Sequence, residues 1–134
     1  MNKLLKITTM ILRVAAAIIL LQTLYFKFTA QPESVELFTK LGVEPWGRIG
    51  TGIIELVTSI LLLIPSTVFI GALLGVCLMI GAVLSHLLVI GIQSQGDGGQ
   101  LFVLAILVLF ICTRLLFLYK EQGVKLYKKY RKKV

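Results

Sequence analysis

The sequence predicts an all-α membrane protein built as an antiparallel bundle of four transmembrane helices. Its composition is the first reason: apolar residues make up 57% of the chain and charged residues 15%, against about 45–50% and about 25% in ordinary globular proteins. Four apolar stretches are the second reason, since each approaches the ~20 residues that cross a ~30 Å hydrocarbon layer. They cover residues 7–26, 47–64, 67–91 and 101–118. None carries the polar stripe of a soluble amphipathic helix. We therefore expect one bundle over residues 1–118 and a separate basic tail over residues 119–134.

The first stretch also has features of a cleaved signal peptide. Lys3 and Lys6 precede an apolar run that contains the alanines 15–17. Arg13 interrupts that run, however, and a cut at the alanines would fall inside it, unlike the usual signal-peptide pattern. We therefore interpret the stretch as a retained first span.

The segment between the first two spans predicts a short helix in an outer loop. Pro32 stands at a helix-start position and Gly42 at a stop position. Val35, Phe38 and Leu41 recur at every third residue, so they share one face of the helix. An amphipathic helix of this kind lies on a membrane surface with its apolar face down.

The second and third spans are joined by the four residues IPST, which predicts a helical hairpin. In the third span Gly71, Gly75, Ala82 and His86 fall on one helical face. Small residues at this spacing allow close helix packing in membranes. We interpret the first three as packing residues, either within the bundle or against a second copy of the chain.

The net charge of +8 is concentrated at the two termini. Lys3 and Lys6 precede the first span, and seven basic residues against one glutamate follow the last span. The positive-inside rule then places both termini in the cytoplasm. An even number of spans satisfies this arrangement, so the charge pattern and the span count agree.

Several basic residues are expected to contact lipid headgroups on the cytoplasmic side. Arg13 and Arg114 lie in the inner halves of their spans, where a long side chain can extend to the interface. Lys128, Lys129 and Arg131 belong to the tail, in which tyrosines alternate with basic residues. Such a mixture can bind RNA, but directly after a span it favours anionic lipid, or a cluster that only sets topology. No nucleic acid partner is predicted.

Glu55 is the residue that most needs an explanation, because a carboxylate in hydrocarbon costs about 2.5–3.5 kcal/mol unless it is paired. At 1.5 Å per residue, Glu55 lies ~12 Å and His86 roughly 8 Å below the outer ends of their spans. Gln22 lies at a similar depth, and Lys27 can reach down to it. The sequence thus predicts a polar cluster of Gln22, Lys27, Glu55 and His86. It serves either as a structural clamp or as a site for a proton, a quinone or another small polar ligand.

The chain offers little catalytic chemistry of its own. Cys77 and Cys112 are solitary, and no C-x-x-C motif is present. One histidine is too few for a typical zinc site or for bis-histidine haem. We assign no catalytic residue, no metal site and no required cofactor, and we expect that the chain is not an enzyme on its own.

The segment from Arg13 to His86 resembles the DoxX or DoxX-like family of small four-span membrane proteins. The resemblance rests on YFKF at 25–28, ELFTKLGVEP in the following loop, RIGTGIIEL at 48–56, LLLIPSTVFIGALLG, and GAVLSHL. By position, Lys27, Glu55 and His86 correspond to the polar landmarks of the family. The resemblance implies a multi-pass protein of the cytoplasmic membrane of a bacterium. It also implies a link to quinone-coupled oxidation, to membrane oxidoreductase complexes, or to the assembly of other membrane proteins.

Three hypotheses follow for the function. The first is an accessory subunit of a membrane complex, such as a quinone-linked oxidoreductase, with a quinone or lipid-like ligand near Glu55. The second is a stand-alone small-molecule or proton-coupled transporter that uses Glu55 and His86. The third is a structural assembly factor. The expected partners are the lipid bilayer and either another membrane protein or a second copy of the chain.

Overall fold

A computed structural model describes all 134 residues and confirms the predicted all-α, four-span bundle. The helices are α1 (Lys3–Phe28), α2 (Pro32–Lys40), α3 (Trp46–Leu63), α4 (Val68–Ser85), α5 (Gln100–Leu118) and α6 (Lys120–Arg131). A 3₁₀ turn, Pro65–Thr67, precedes α4, and a π-helical turn, His86–Ile90, continues it. The four spans are α1, α3, α4 with its two flanking turns, and α5.

The four spans form a closed ring in which every neighbouring pair is antiparallel. α1 packs against α3 and α5, and α4 packs against the same two helices. One end of the ring carries α2 and the loop 91–99, and we call it the loop end. The other carries both chain termini, α6 and the turn at 65–67, and we call it the termini end.

The apolar core lies toward the termini end. Its members without exposed surface come from all four spans: Ala16, Leu62, Val68, Ala72, Val108, Cys112 and Leu115. Large apolar side chains such as Ile18, Ile53, Leu73 and Phe110 remain exposed on the outside of the ring. Exposed apolar surface on every span is what a lipid-facing bundle requires, because lipid chains are as apolar as the side chains.

Two of the predicted packing glycines lie where neighbouring helices approach α4 most closely. A Cβ at Gly71 would lie 2.9 Å from the Leu62 backbone nitrogen on α3, and a Cβ at Gly75 would lie 2.5 Å from Cys112 Sγ on α5. Ala82, the third predicted packing residue, is half-buried and lines a cavity described below. The two glycines therefore set the spacing of α4 from α3 and α5.

Replacement of Gly71 by Ala is expected to destabilise the bundle by about 1–3 kcal/mol, the usual cost of an overpacked core. The added methyl would meet main-chain atoms of Leu61 and Leu62, which cannot rotate away. Gly81→Ala on the same helix is the matched control, because nothing lies within 4 Å of its added Cβ. Thermal unfolding of both variants in the same detergent measures the difference. Equal unfolding temperatures would show that α3 can move aside at no cost.

The structure corrects the prediction that Arg13 contacts headgroups. Its side chain is buried, and Nε donates to the Leu62 carbonyl at 2.6 Å while Nη2 donates to the Leu63 carbonyl at 2.7 Å. Both carbonyls belong to the last turn of α3, where helical carbonyls have no partner within the helix and the helix dipole favours a cation. Arg13 therefore closes the end of α3 instead of extending to the interface.

The basic tail forms a helix that is attached to the bundle. The Gln122 side chain accepts from the Phe69 backbone N–H at 2.8 Å and donates to the Pro65 carbonyl at 2.9 Å. Arg114 is exposed near the end of α5, with its guanidinium carbon 5.9 Å from the Phe117 ring centroid. Lys128, Lys129 and Arg131 are also exposed. Contact of these four residues with headgroups stays a prediction.

Candidate functional site

An ion pair connects α1 and α3 in the loop-end half of the bundle. Lys27 Nζ lies 3.0 Å from Glu55 Oε2, and both side chains are largely buried, with 13% and 7% of their surface exposed. The Thr23 hydroxyl lies 3.0 Å from the same carboxylate oxygen and 2.8 Å from the Leu20 carbonyl. It can donate its one proton to either. Glu55 is thus turned away from lipid and held by a cation and a hydroxyl of one helix.

A second charged pair holds the residue that carries this cation. Arg48, in the first turn of α3, donates Nε to both carboxylate oxygens of Glu44, at 2.9 and 3.0 Å. Its Nη1 donates to the backbone carbonyl of Lys27, which lies in the last turn of α1, where carbonyls need an outside partner. Arg48 therefore fixes the end of α1 against α3 and so positions Lys27 toward Glu55.

His86 lies across the bundle, at the start of the π-helical turn that ends α4. Its Nδ1 is 2.9 Å from the Gly91 carbonyl. Since a carbonyl can only accept, Nδ1 carries a proton. The ring also packs edge-on against Phe102, with centroids 5.7 Å apart. His86 is thus hydrogen-bonded to the backbone at the end of its own helix and not to Glu55.

The predicted cluster requires one correction. Gln22 is exposed and lines none of the site, whereas the next residue, Thr23, reaches Glu55. The sequence contained a signal for this choice, because Thr23 and Lys27 are four residues apart and therefore share a helix face. Gln22 lies about 100° away from Thr23 around an α-helix. The i,i+4 pair Glu44 and Arg48 carried a similar signal.

Asp97 organises the loop 91–99 at the same end. Its Oδ1 accepts from the backbone N–H groups of Ser94 at 3.0 Å and Gly99 at 2.8 Å, and its Oδ2 accepts from Leu101 N–H at 3.1 Å. Burial opposes ionisation of this carboxylate, but the three N–H donors and the nearby His86 outweigh it. The pKa of Asp97 is therefore held below its ordinary value. The Gln95 side chain then connects this loop to α2 by donating to the Glu33 carbonyl at 2.9 Å.

The lowered pKa predicts that the loop is stabilised at neutral pH and loosened in acid. A carboxyl with a depressed folded-state pKa contributes stability above its ordinary pKa of 3.8, and that stability is lost as the pH falls through the lower folded value. Asp97→Ala removes the acceptors at every pH.

We expect faster amide hydrogen exchange in residues 94–101 of Asp97→Ala at pH 5, and the same change in the unmodified protein only well below pH 3.8. Rates corrected for intrinsic exchange measure both effects. Glu121→Gln, at the opposite end, is the charge control. An unchanged rate in Asp97→Ala would contradict the role of this carboxylate.

These elements line one large, partly open cavity, the loop-end cavity, of about 790 Å³. Its polar wall includes Thr23, Lys27, Glu55, His86 and Asp97. Its apolar lining comes mainly from α1, α2, α4 and α5, with Leu20, Phe38, Met79, Leu104 and Val108 among the residues. A volume of this order lies within the ~300–1,000 Å³ of typical small-molecule sites. The cavity therefore has the size and the mixed lining of a site for an amphipathic ligand.

Two acceptor atoms of the polar wall remain accessible. Every side-chain nitrogen or oxygen without exposed surface has a hydrogen-bond partner. Glu55 Oε1 and His86 Nε2 have no hydrogen-bond partner in the protein. Neither atom is therefore fully buried. Both residues line the loop-end cavity. With Nδ1 protonated, the neutral form of His86 presents Nε2 as an acceptor. A ligand therefore meets one acceptor beside the Lys27 ammonium group, on Glu55, and a second acceptor across the cavity, on His86.

Comparison with family models matches residues 11–113 of the chain to the DoxX-like family. The matched range includes Lys27, Glu55 and His86, and it runs from α1 into α5. Searches of curated proteins and of solved structures gave no significant match.

Proposed function

Because the chain belongs to the DoxX-like family, we propose that this small integral membrane protein binds a quinone or a similar amphipathic molecule in the loop-end cavity. In this proposal it acts as an accessory subunit or assembly partner of a membrane complex. The observation that carries the proposal is the cavity of about 790 Å³ with an ion pair on one wall and apolar side chains around it. A molecule with a polar head and an apolar body matches both parts of that lining.

The polar wall suits the head of such a ligand. Lys27 has donors left beyond its contact with Glu55, and a protonated amine is a strong donor to a carbonyl oxygen. Glu55 Oε1 and His86 Nε2 accept from a hydroxyl. A quinone offers carbonyl oxygens and a quinol offers hydroxyls, so these groups can bind either redox form.

The redox step itself is assigned to a partner. Cys77 and Cys112 are both free, and Cys112 is enclosed in the core against Gly75. The chain has no dithiol that could exchange two electrons with a bound quinone. We therefore propose that this protein positions the ligand and that a second membrane protein carries out any electron transfer.

The carrier alternative requires a polar path from the cavity to the termini end. Fully buried apolar residues from all four spans fill that half of the bundle, including Leu62, Val68 and Leu115. This packing supports a binding site with access from one end only. Uptake of a solute by the purified protein in vesicles, dependent on pH and on Glu55, would favour the carrier instead.

We further propose that the protein lies in the cytoplasmic membrane of a bacterium with both termini in the cytoplasm. Lys3, Lys6 and the seven basic residues of the tail belong to the segments at the termini end, and positive charge marks the cytoplasmic side. Reporter enzymes fused after residue 134 test this orientation, since a reporter active only in the periplasm should stay inactive.

Titration of the protein in nanodiscs with a short-chain quinone, by calorimetry, tests the proposed ligand. We expect saturable binding above that of empty nanodiscs and a loss of about tenfold, or about 1.4 kcal/mol, in Glu55→Gln. Glu36→Gln is the matched control, because Glu36 forms an exposed pair with Lys40 on α2. Binding no greater than in empty nanodiscs, or equal losses in both variants, would refute the proposal.

A further inference from the structure

A second recess, at the termini end, lies between α6 and the start of α4. It has a volume of about 210 Å³ and is lined by Ser66, Phe69, Gln122, Lys125 and Lys129, among others. None of these residues lines the loop-end cavity. Whatever this recess binds is therefore independent of the function proposed above.

The walls of the recess are held in place by specific contacts. The side chain of Gln122 bonds to both the Phe69 N–H and the Pro65 carbonyl. Gly123 allows the Phe69 ring to approach α6, since a Cβ there would lie 2.5 Å from the ring carbon Cζ. α6 is thereby fixed against α4, and the recess exists before any ligand arrives.

The two lysines of the recess have no acidic partner. The three ion pairs of the structure are Lys27–Glu55, Lys40–Glu36 and Arg48–Glu44, and none of them lies near α6. Lys125 and Lys129 are four residues apart, so they are neighbours on one helix face and repel each other. An anion between the two ammonium groups would remove that repulsion.

The position of the recess indicates the source of the anion. Ser66 and Phe69 lie where α4 enters the apolar layer, and α6 begins two residues after α5 ends at Leu118. This level corresponds to the lipid phosphates at the end of a span. Val124, Tyr127 and Tyr130 on α6 are exposed, and tyrosines favour the interface between headgroups and acyl chains. Both the level and the exposed apolar side chains favour a membrane lipid over a soluble anion.

We propose that this recess is a binding site for the phosphate group of an anionic membrane lipid. Lys125 and Lys129 contact the phosphate oxygens, and the Ser66 hydroxyl, which donates to no protein group, is available as a further donor. The apolar face of α6 lies beside the acyl chains. The fixed position of α6 distinguishes this site from the general attraction between a basic tail and a charged membrane.

Native mass spectrometry of the full chain in detergent, titrated with phosphatidylglycerol, tests the site. We expect one lipid bound in preference to phosphatidylcholine, and at least tenfold weaker binding in the double variant Lys125→Gln, Lys129→Gln. The matched control is Lys132→Gln, Lys133→Gln, which removes the same charge from the same tail at residues outside the recess. It should lose less than about threefold, because the Coulomb attraction of an exposed charge is weak.

A second variant separates the recess from its charge. Gln122→Leu keeps every lysine but removes the two hydrogen bonds that hold α6, so it should also lose the preference for phosphatidylglycerol. Equal losses in the two lysine double variants would overturn the proposal, since they would indicate general attraction to the tail. Preferential binding of inorganic phosphate, added as a competitor, would overturn the assignment to a lipid.

Discussion

Replacement of Lys27 by Met is expected to be the most damaging single change at the loop-end cavity, with a loss of about 2–4 kcal/mol in the free energy of unfolding. Removal of one partner of a buried ion pair leaves the other charge uncompensated, which costs about 3–5 kcal/mol in closed interiors. The cost here is smaller because the cavity leaves part of both side chains exposed. Chemical unfolding of the variant in mixed micelles measures the loss.

The double variant Lys27→Met, Glu55→Met gives this prediction its sharpest test. Replacement of a whole buried pair by apolar residues is often neutral, so the second substitution should restore most of the stability but not the binding of a quinone. Lys40→Met is the matched control. Its pair with Glu36 is about half exposed, and exposed pairs of this spacing contribute only about 0.3–0.5 kcal/mol. If Lys27→Met were no worse than Lys40→Met, the pair would not stabilise the fold.

Replacement of Arg13 by Met is the second change with a large expected effect, again about 2–4 kcal/mol of stability. Hydrogen bonds to a charged group contribute about 1.5–3 kcal/mol each, and Arg13 donates two of them to the end of α3. Relief from burying the guanidinium offsets part of the loss. Met preserves the long apolar stem, so the change isolates the charged head. Thermal unfolding in a fixed detergent provides the measurement.

Arg114→Met supplies the control for Arg13, since the residue and the substitution are the same and both arginines lie toward the termini end. Arg114 is exposed, and its recorded contact is with the Phe117 ring at 5.9 Å. Cation–π contacts at exposed sites contribute about 0.5–1 kcal/mol. Similar unfolding temperatures for the two variants would show that the carbonyls of Leu62 and Leu63 find other partners.

The spans and their order follow from features that each segment carries by itself. Length and apolar composition defined the four spans, and Pro32 and Gly42 predicted α2, which ends at Lys40 with Gly42 in a left-handed conformation at φ 75°. The start of α1 at Lys3 was missed, because the polar first turn is stabilised by Asn2, whose side chain accepts from the Leu5 N–H at 2.8 Å. A cap of this kind is a local feature that the apolar pattern does not report.

The site was predicted less well, because its contacts depend on pairs of helices. Depth along a span placed Lys27 just above Glu55, within reach of its long side chain, and the structure joins the two residues. Depth alone does not show whether Gln22 or Thr23 faces Glu55, because that depends on the rotation of α1 about its own axis. For Arg13, the argument from a single helix overlooked the unpaired carbonyls at the end of α3. The contact between Arg48 and the Lys27 carbonyl likewise exists only once α1 and α3 are packed.

The short turn at 65–67 has a consequence for how this molecule can move. Arg13 from α1, Thr67 from the turn itself and Gln122 from α6 all bond to carbonyls between Leu61 and Pro65. Three segments, α1, the turn and α6, are thus anchored at the end of α3. At the loop end, the segments are connected by a few side chains such as Gln95 and Arg48. Thermal motion of the bundle should therefore widen the loop end more than the termini end. A ligand would then enter and leave through the same opening.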